Sequence, residues 1–131
     1  MKILESAENY LETIYMLSKQ QSEVRSIDVA SETGFTKPSV SRAVKNLRAS
    51  GHILMDAKGH LTLTPLGLQV AEQMYERHQL LSQFLIQIGV TAETALADAC
   101  RIEHVISEES FAHIKSYMAK MSPETDKNSD T

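Results

Sequence analysis

Apolar residues recur at helical spacing over most of the chain, and short polar stretches interrupt them. Leu11, Ile14, Tyr15 and Leu17 predict a first helix from about Ser6 to Lys19, with Ser6 as its N-cap. Residues 20–25 are polar and read as a loop. Ser26 is expected to cap a short helix, Ile27 to about Thr33, with Ile27, Val29 and Ala30 available for packing and Gly34 ending it. Thr36 then caps a helix that carries Pro38 in its first turn, buries Val40, Val44 and Leu47, and stops at Ser50-Gly51. Ile53-Leu54-Met55 and the alternating Leu61-Thr62-Leu63-Thr64 read as strands, with a turn signal at Lys58-Gly59 between them. Thr64 caps a long helix, about Pro65 to Gln87, whose stripe runs Leu66, Val70, Met74, His78 and Leu81 and is widened by Leu80, Phe84 and Leu85. After the break at Gly89-Val90, Thr91 caps a helix reaching about Ile106. Ser107 caps a last one, about Glu108 to Met121, with Phe111, Ile114, Tyr117 and Met118 as its apolar stripe.

Helix, short turn with glycine, helix is the helix-turn-helix arrangement, and a hairpin directly after it is a wing. The expected fold is therefore mainly α: a winged helix-turn-helix over residues 1–70, then helices over 71–121, then a disordered tail over 122–131 made of Ser, Pro, Glu, Thr, Asp, Lys and Asn. The apolar stripes of the later helices exceed what one short chain covers, which points to a homodimer.

Charge sharpens this picture. The net charge of −4 is unpromising for a nucleic-acid binder, but residues 1–70 hold eight Lys/Arg against seven Asp/Glu, and residues 71–131 five against ten. No acidic residue falls between Glu32 and Asp56. Within that window Lys37, Pro38, Ser39, Ser41, Arg42 and Lys45 lie on or near the polar side of the helix after the turn, and Lys58 follows at the wing tip. These residues are the expected contacts to double-stranded DNA, supplying donors for base edges and phosphates. No run of about 18 apolar residues exists to span a membrane. The first residues lack the charged-then-apolar pattern of a signal peptide, and the single Cys100 cannot form an internal disulfide; both readings fit the cytoplasm.

The candidate chemistry sits at Cys100-Arg101-Ile102-Glu103-His104. In a continuous helix Cys100, Glu103 and His104 share one face, at i, i+3 and i+4. A thiolate, a carboxylate and an imidazole are ligand types for a divalent transition metal. His78 on the long helix and Glu12 on the first are further ligand types, although a core histidine is the ordinary reading of the one and a solvated acidic face a weaker reading of the other. Cys100 with His104 also has the makings of a thiolate–imidazole nucleophile. No Gly-rich loop or oxyanion donors accompany the pair, so the chain is not expected to be an enzyme.

Five stretches together resemble the metal-dependent transcriptional repressors of the diphtheria-toxin-repressor class, which includes the manganese-transport regulators. They are Glu8 to Tyr15, Lys37 to Ser41, Leu61 to Gly67, Arg77 to Leu81 and Ala99 to Val105, and the resemblance covers about residues 5–118. It implies a metal-dependent DNA-binding repressor whose second domain binds metal and dimerises. The positions matching the family's ligands are Asn9, Glu12, His78, Cys100, Glu103 and His104. Asn9 stands where the manganese branch has aspartate and the iron branch methionine. Cys100 follows the iron branch and Glu12 the manganese branch, while Ser82 and Leu96 occupy the two further positions of the iron branch's ancillary site. A soft thiolate favours Fe(II), Zn(II) or Co(II), and the oxygen donors suit Mn(II) and Fe(II). Fe(II) or Mn(II) is the expected activator, with Zn(II) or Co(II) as further candidates. A winged-helix regulator that senses an organic ligand, or has lost metal sensing, remains the alternative.

Overall fold

The structure is a computed structural model that describes residues 5–121. The tail expected over 122–131 lies outside the described residues. The chain divides into two compact units, Met1–Tyr75 and Glu76–Thr131.

The first unit contains α1 (Glu5–Gln20), α2 (Ser26–Thr33), α3 (Lys37–Ala49), β1 (Ile53–Met55), β2 (Leu61–Leu63) and the start of α4 (Pro65–Gln87). Its core joins Leu11, Ile14 and Leu17 of α1 to Val29 of α2, Val40, Val44 and Leu47 of α3, Ile53 and Leu61 of the strands and Ala71 of α4. The helix-turn-helix follows its local signals closely. Gly34 ends α2 at φ +78°, a left-handed conformation open to glycine without strain. The Thr36 hydroxyl accepts from Ser39 N–H at the start of α3. β1 and β2 pair antiparallel with Ile53 opposite Leu63 and Met55 opposite Leu61, forming the wing. At its tip the Asp56 carboxylate accepts the N–H groups of Lys58 and His60, each at 2.9 Å. Those backbone donors, led by His60, hold the Asp56 carboxyl below the ordinary aspartate range.

Several expectations need correction. Ser6 lies inside α1 rather than at its cap, because the helix already includes Glu5. Arg25, not Ser26, is the N-cap of α2: its backbone N–H is taken by the Asp28 carboxylate at 2.9 Å, so the cap is set from inside the helix. Ile27 of that helix is exposed. The polar loop before it hides a core residue: Val24 is buried and its carbonyl accepts Leu61 N–H at 2.7 Å, fastening β2. Leu66 is also exposed, since the first turn of α4 packs through its backbone instead. A Cβ added at Gly67 would lie 2.0 Å from the His52 carbonyl oxygen.

The second unit contains the rest of α4, α5 (Ala92–Ile102) and α6 (Glu108–Met121). Thr91 and Ser107 cap α5 and α6 as expected, accepting from Thr94 N–H and Ser110 N–H. Leu81, Ala95, Ala99, Phe111 and Met118 are buried. Tyr117 is exposed, because the inward face of α6 runs through 111, 114 and 118 and position 117 falls off it. α5 stops at Ile102, four residues before the expected end. There the Ile102 carbonyl accepts N–H groups from both Val105 and Ile106, and the chain turns away.

Candidate metal centre and nucleic-acid interface

α3 presents one apolar and one basic side. Val40, Val44 and Leu47 are buried, while Lys37, Pro38, Ser41, Arg42 and Lys45 are exposed. Ser39 differs from the other expected contacts. It is half-buried, its hydroxyl accepts from the Thr36 hydroxyl at 2.8 Å, and the Arg42 guanidinium lies 3.5 Å from it. Ser39 thus belongs to the cap of α3 and steadies Arg42. Lys58 is exposed at the wing tip. The turn of the wing is tied down by His60, whose Nδ1 meets Asp56 at 3.1 Å and whose Nε2 lies 3.3 Å from both Glu23 and Arg25. A row of solvated cations on a rigid helix, with one more on a supported hairpin, is a surface for a polyanion.

In the second unit the feature with most chemical consequence is Glu103. Its side chain is fully buried, at 0% exposure. His78 Nδ1 lies 2.9 Å from one carboxylate oxygen, and His104 Nε2 lies 3.4 Å from the other. A carboxylate withdrawn from water is unfavourable unless cationic or hydrogen-bonding groups offset it, and here two imidazoles face it. Glu103 is the C-cap of α5, still in helical conformation with its N–H on the Ala99 carbonyl, and His104 follows it. Cys100, still inside α5, is exposed, although it shares an i, i+3 spacing with Glu103. Of the α1 residues in the expected set, Glu12 is buried and Asn9 half-buried within the first unit. One carboxylate and two imidazoles form a nitrogen and oxygen donor set that a divalent transition ion accepts, so the residues present fit a metal.

Arg77 carries a role that pattern reading did not assign. It is 7% exposed, and its Nη1 donates to the main-chain carbonyls of Glu103 and Ile106, each at 3.1 Å. The sequence held one signal for it, an arginine beside a histidine that falls on the apolar stripe of α4.

Comparison with known proteins gives a consistent picture. Residues 2–61 match the iron-dependent repressor N-terminal DNA binding domain, and residues 64–130 match the iron-dependent repressor metal binding and dimerisation domain. The chain is 36% identical over 105 residues to the transcriptional regulator MntR of Salmonella typhimurium, a match covering 80% of this chain and 67% of that protein. It is 33% identical over 121 residues to the HTH-type transcriptional regulator MntR of Lysinibacillus sphaericus, covering 92% and 87%. A solved manganese-dependent transcriptional repressor in complex with manganese is similar at TM-score 0.79 and 28% identity, over 86% of this chain and 52% of that one. The manganese regulator SloR is similar at TM-score 0.77 and 27% identity, over 86% and 53%. The chain spans about half the length of these two solved proteins. No helix among the described residues is long and apolar enough to cross a membrane.

Proposed function

The chain belongs to the iron-dependent repressor family, and we propose that it is a homodimeric, metal-activated transcriptional regulator that represses metal-uptake genes in the cytoplasm when Mn(II) or Fe(II) is plentiful. Residues 1–70 form the DNA-binding domain in this reading, and residues 71–121 the metal-binding and dimerisation domain. The single observation that carries it is the fully buried Glu103 carboxylate with an imidazole against each oxygen.

The proposed ligands are His78, Glu103 and His104, with Glu12 and Asn9 contributed by α1 and Cys100 by α5. Glu12 supports its place by being the one buried charged residue of α1 among the described residues, beside Tyr10, Leu11, Thr13, Ile14 and Leu17. Asn9 lies one helical turn before it on the same face. The nitrogen and oxygen donors suit Mn(II) and Fe(II) alike, which agrees with relatives named as manganese regulators. When bound, a divalent ion supplies the positive charge that offsets the buried carboxylates. The chain's own residues do the rest. His78 and Glu103 hold α4 to the turn after α5, and α3 reads the major groove while Lys58 meets the backbone beside it. Metal and DNA then strengthen each other's binding through one protein conformation, by reciprocal linkage.

The test uses a labelled duplex selected from random sequence by binding in Mn(II). Its anisotropy is followed while Mn(II) or Fe(II) is added to wild type and to Glu103→Gln. The substitution keeps the side chain's size and removes its charge, so DNA binding should lose its metal response while the protein without metal still folds. A variant that answers both metals as wild type does would overturn the metal reading and favour an organic ligand.

A further inference from the structure

Arg77 and His78 are neighbours on α4, and both hold Glu103. His78 Nδ1 holds its carboxylate at 2.9 Å, and Arg77 Nη1 holds its main-chain carbonyl at 3.1 Å. Arg77 also reaches the Ile106 carbonyl at 3.1 Å, so both ends of the turn after α5 hang from one guanidinium. The guanidinium carbon lies 5.4 Å from the centre of the Phe111 ring of α6. Three pieces of the second unit therefore meet at one side chain.

The physical logic is specific to arginine. A helix C-terminus leaves carbonyls without intrahelical donors and carries partial negative charge, which favours a cation there. Arginine is seldom buried, and here one of its nitrogens serves two carbonyls while the guanidinium faces an aromatic ring. Both bonds leave one nitrogen, Nη1, while the rigid guanidinium plane also faces the Phe111 ring; a lysine ammonium, a point of charge on a flexible stem, is less pre-organised to meet all three. Because the bonds go to the backbone, they fix where residues 103–106 lie whatever the protonation or occupancy of the Glu103 side chain.

We propose that Arg77 is the positioning residue of the metal centre: it pins the 103–106 turn so that Glu103 and His104 stay in register with His78. This rests on the metal reading above. The hydrogen bonds of Arg77 to this turn go to main chain, and it acts through the ligands beside it.

The test compares wild type, Arg77→Met and Arg77→Lys. Methionine keeps an apolar stem near Phe111 and removes the donors; lysine keeps the charge. Mn(II) affinity, measured by competition with a chelating fluorophore, should fall about 10- to 100-fold in Arg77→Met, the range seen when a group that orients a metal ligand is lost. Arg77→Lys should recover part of that loss. The visible absorption of the Co(II)-saturated protein should change in intensity, since the ligands relax to a different geometry. Without metal, hydrogen exchange at the amides of Val105 and Ile106 should quicken. A merely structural role would lower thermal stability yet leave the Mn(II) affinity and the saturated Co(II) spectrum of the folded protein as in wild type, and that result overturns the proposal. Should Arg77→Met fail to fold by circular dichroism, Arg77→Lys decides. Weaker Mn(II) binding with an altered Co(II) spectrum supports the proposal, and wild-type values of both overturn it. Failure of the wild-type protein itself to take up Mn(II) or Co(II) would instead overturn the metal reading, and the positioning role with it.

Discussion

Cys100 and Glu103 lie three residues apart, yet one is exposed and the other fully buried. In an uninterrupted helix the two share a face. Glu103 keeps helical backbone as the C-cap of α5, so the difference lies in what covers each side chain: His78 and Arg77 of α4 meet Glu103. The thiol therefore becomes the informative residue for metal choice. If its thiolate completes the ligand set, Cys100→Ser should weaken Zn(II) roughly tenfold or more and leave Mn(II) nearly unchanged, since only the softer ion gains much from sulfur. Competitive metal loading followed by elemental analysis reads the ratio directly. Equal losses for both ions, or none, would remove Cys100 from the ligands.

At the scale of elements, the helix-turn-helix and wing can be read as one platform. The apolar side of α3 anchors it through Val40, Val44 and Leu47, which leaves Arg42 and Lys45 projecting from a rigid helix. The double substitution Arg42→Ala, Lys45→Ala should weaken duplex binding and flatten its salt dependence by about one unit of slope for each phosphate no longer neutralised. Metal affinity and folding should stay near wild type. An unchanged salt slope in anisotropy titrations would mean that α3 is not the element that meets the phosphates. The junction between wing and α4 makes a separate demand on the chain. Gly67 packs where a Cβ would fall 2.0 Å from backbone, at the His52 carbonyl, and backbone cannot swing aside as a flexible side chain can. Gly67→Ala should destabilise the protein by about 1–3 kcal/mol through this overpacking, despite alanine's better helix propensity. Urea unfolding checks it, and a midpoint equal to or above wild type would show that the junction yields cheaply.

For the whole molecule, the second unit exposes Ile86, Ile88, Leu96, Val105, Tyr117 and Met121. In a family whose matching domain is one of dimerisation, so many exposed large apolar side chains in a small unit are expected to meet a second copy. To meet two half-sites, such a pair must hold its two α3 helices about 34 Å or a multiple apart, the spacing of successive major grooves on one side of DNA. Sedimentation equilibrium with Mn(II) at micromolar protein should return twice the chain mass. A monomer under those conditions would sink the two-fold arrangement.

Local signals in the sequence determined a great deal: the order of six helices and two strands, the caps at Thr36, Thr91 and Ser107, the glycine stops, the acid-free basic face of α3 and the ligand types at His78, Glu103 and His104. Such features depend on residues within about one helical turn, so a linear pattern carries them. Tertiary structure alone decided which way Leu66 and Ile27 face, that Val24 enters the core from a polar loop, and that Glu103 is buried while Cys100 is not. It also decided that Arg77 grips a turn 26 and 29 positions further along the chain. Those outcomes rest on contacts between segments far apart in sequence. Whether a carboxylate can be buried depends on which donors the fold brings to it, and no periodicity within one segment encodes that.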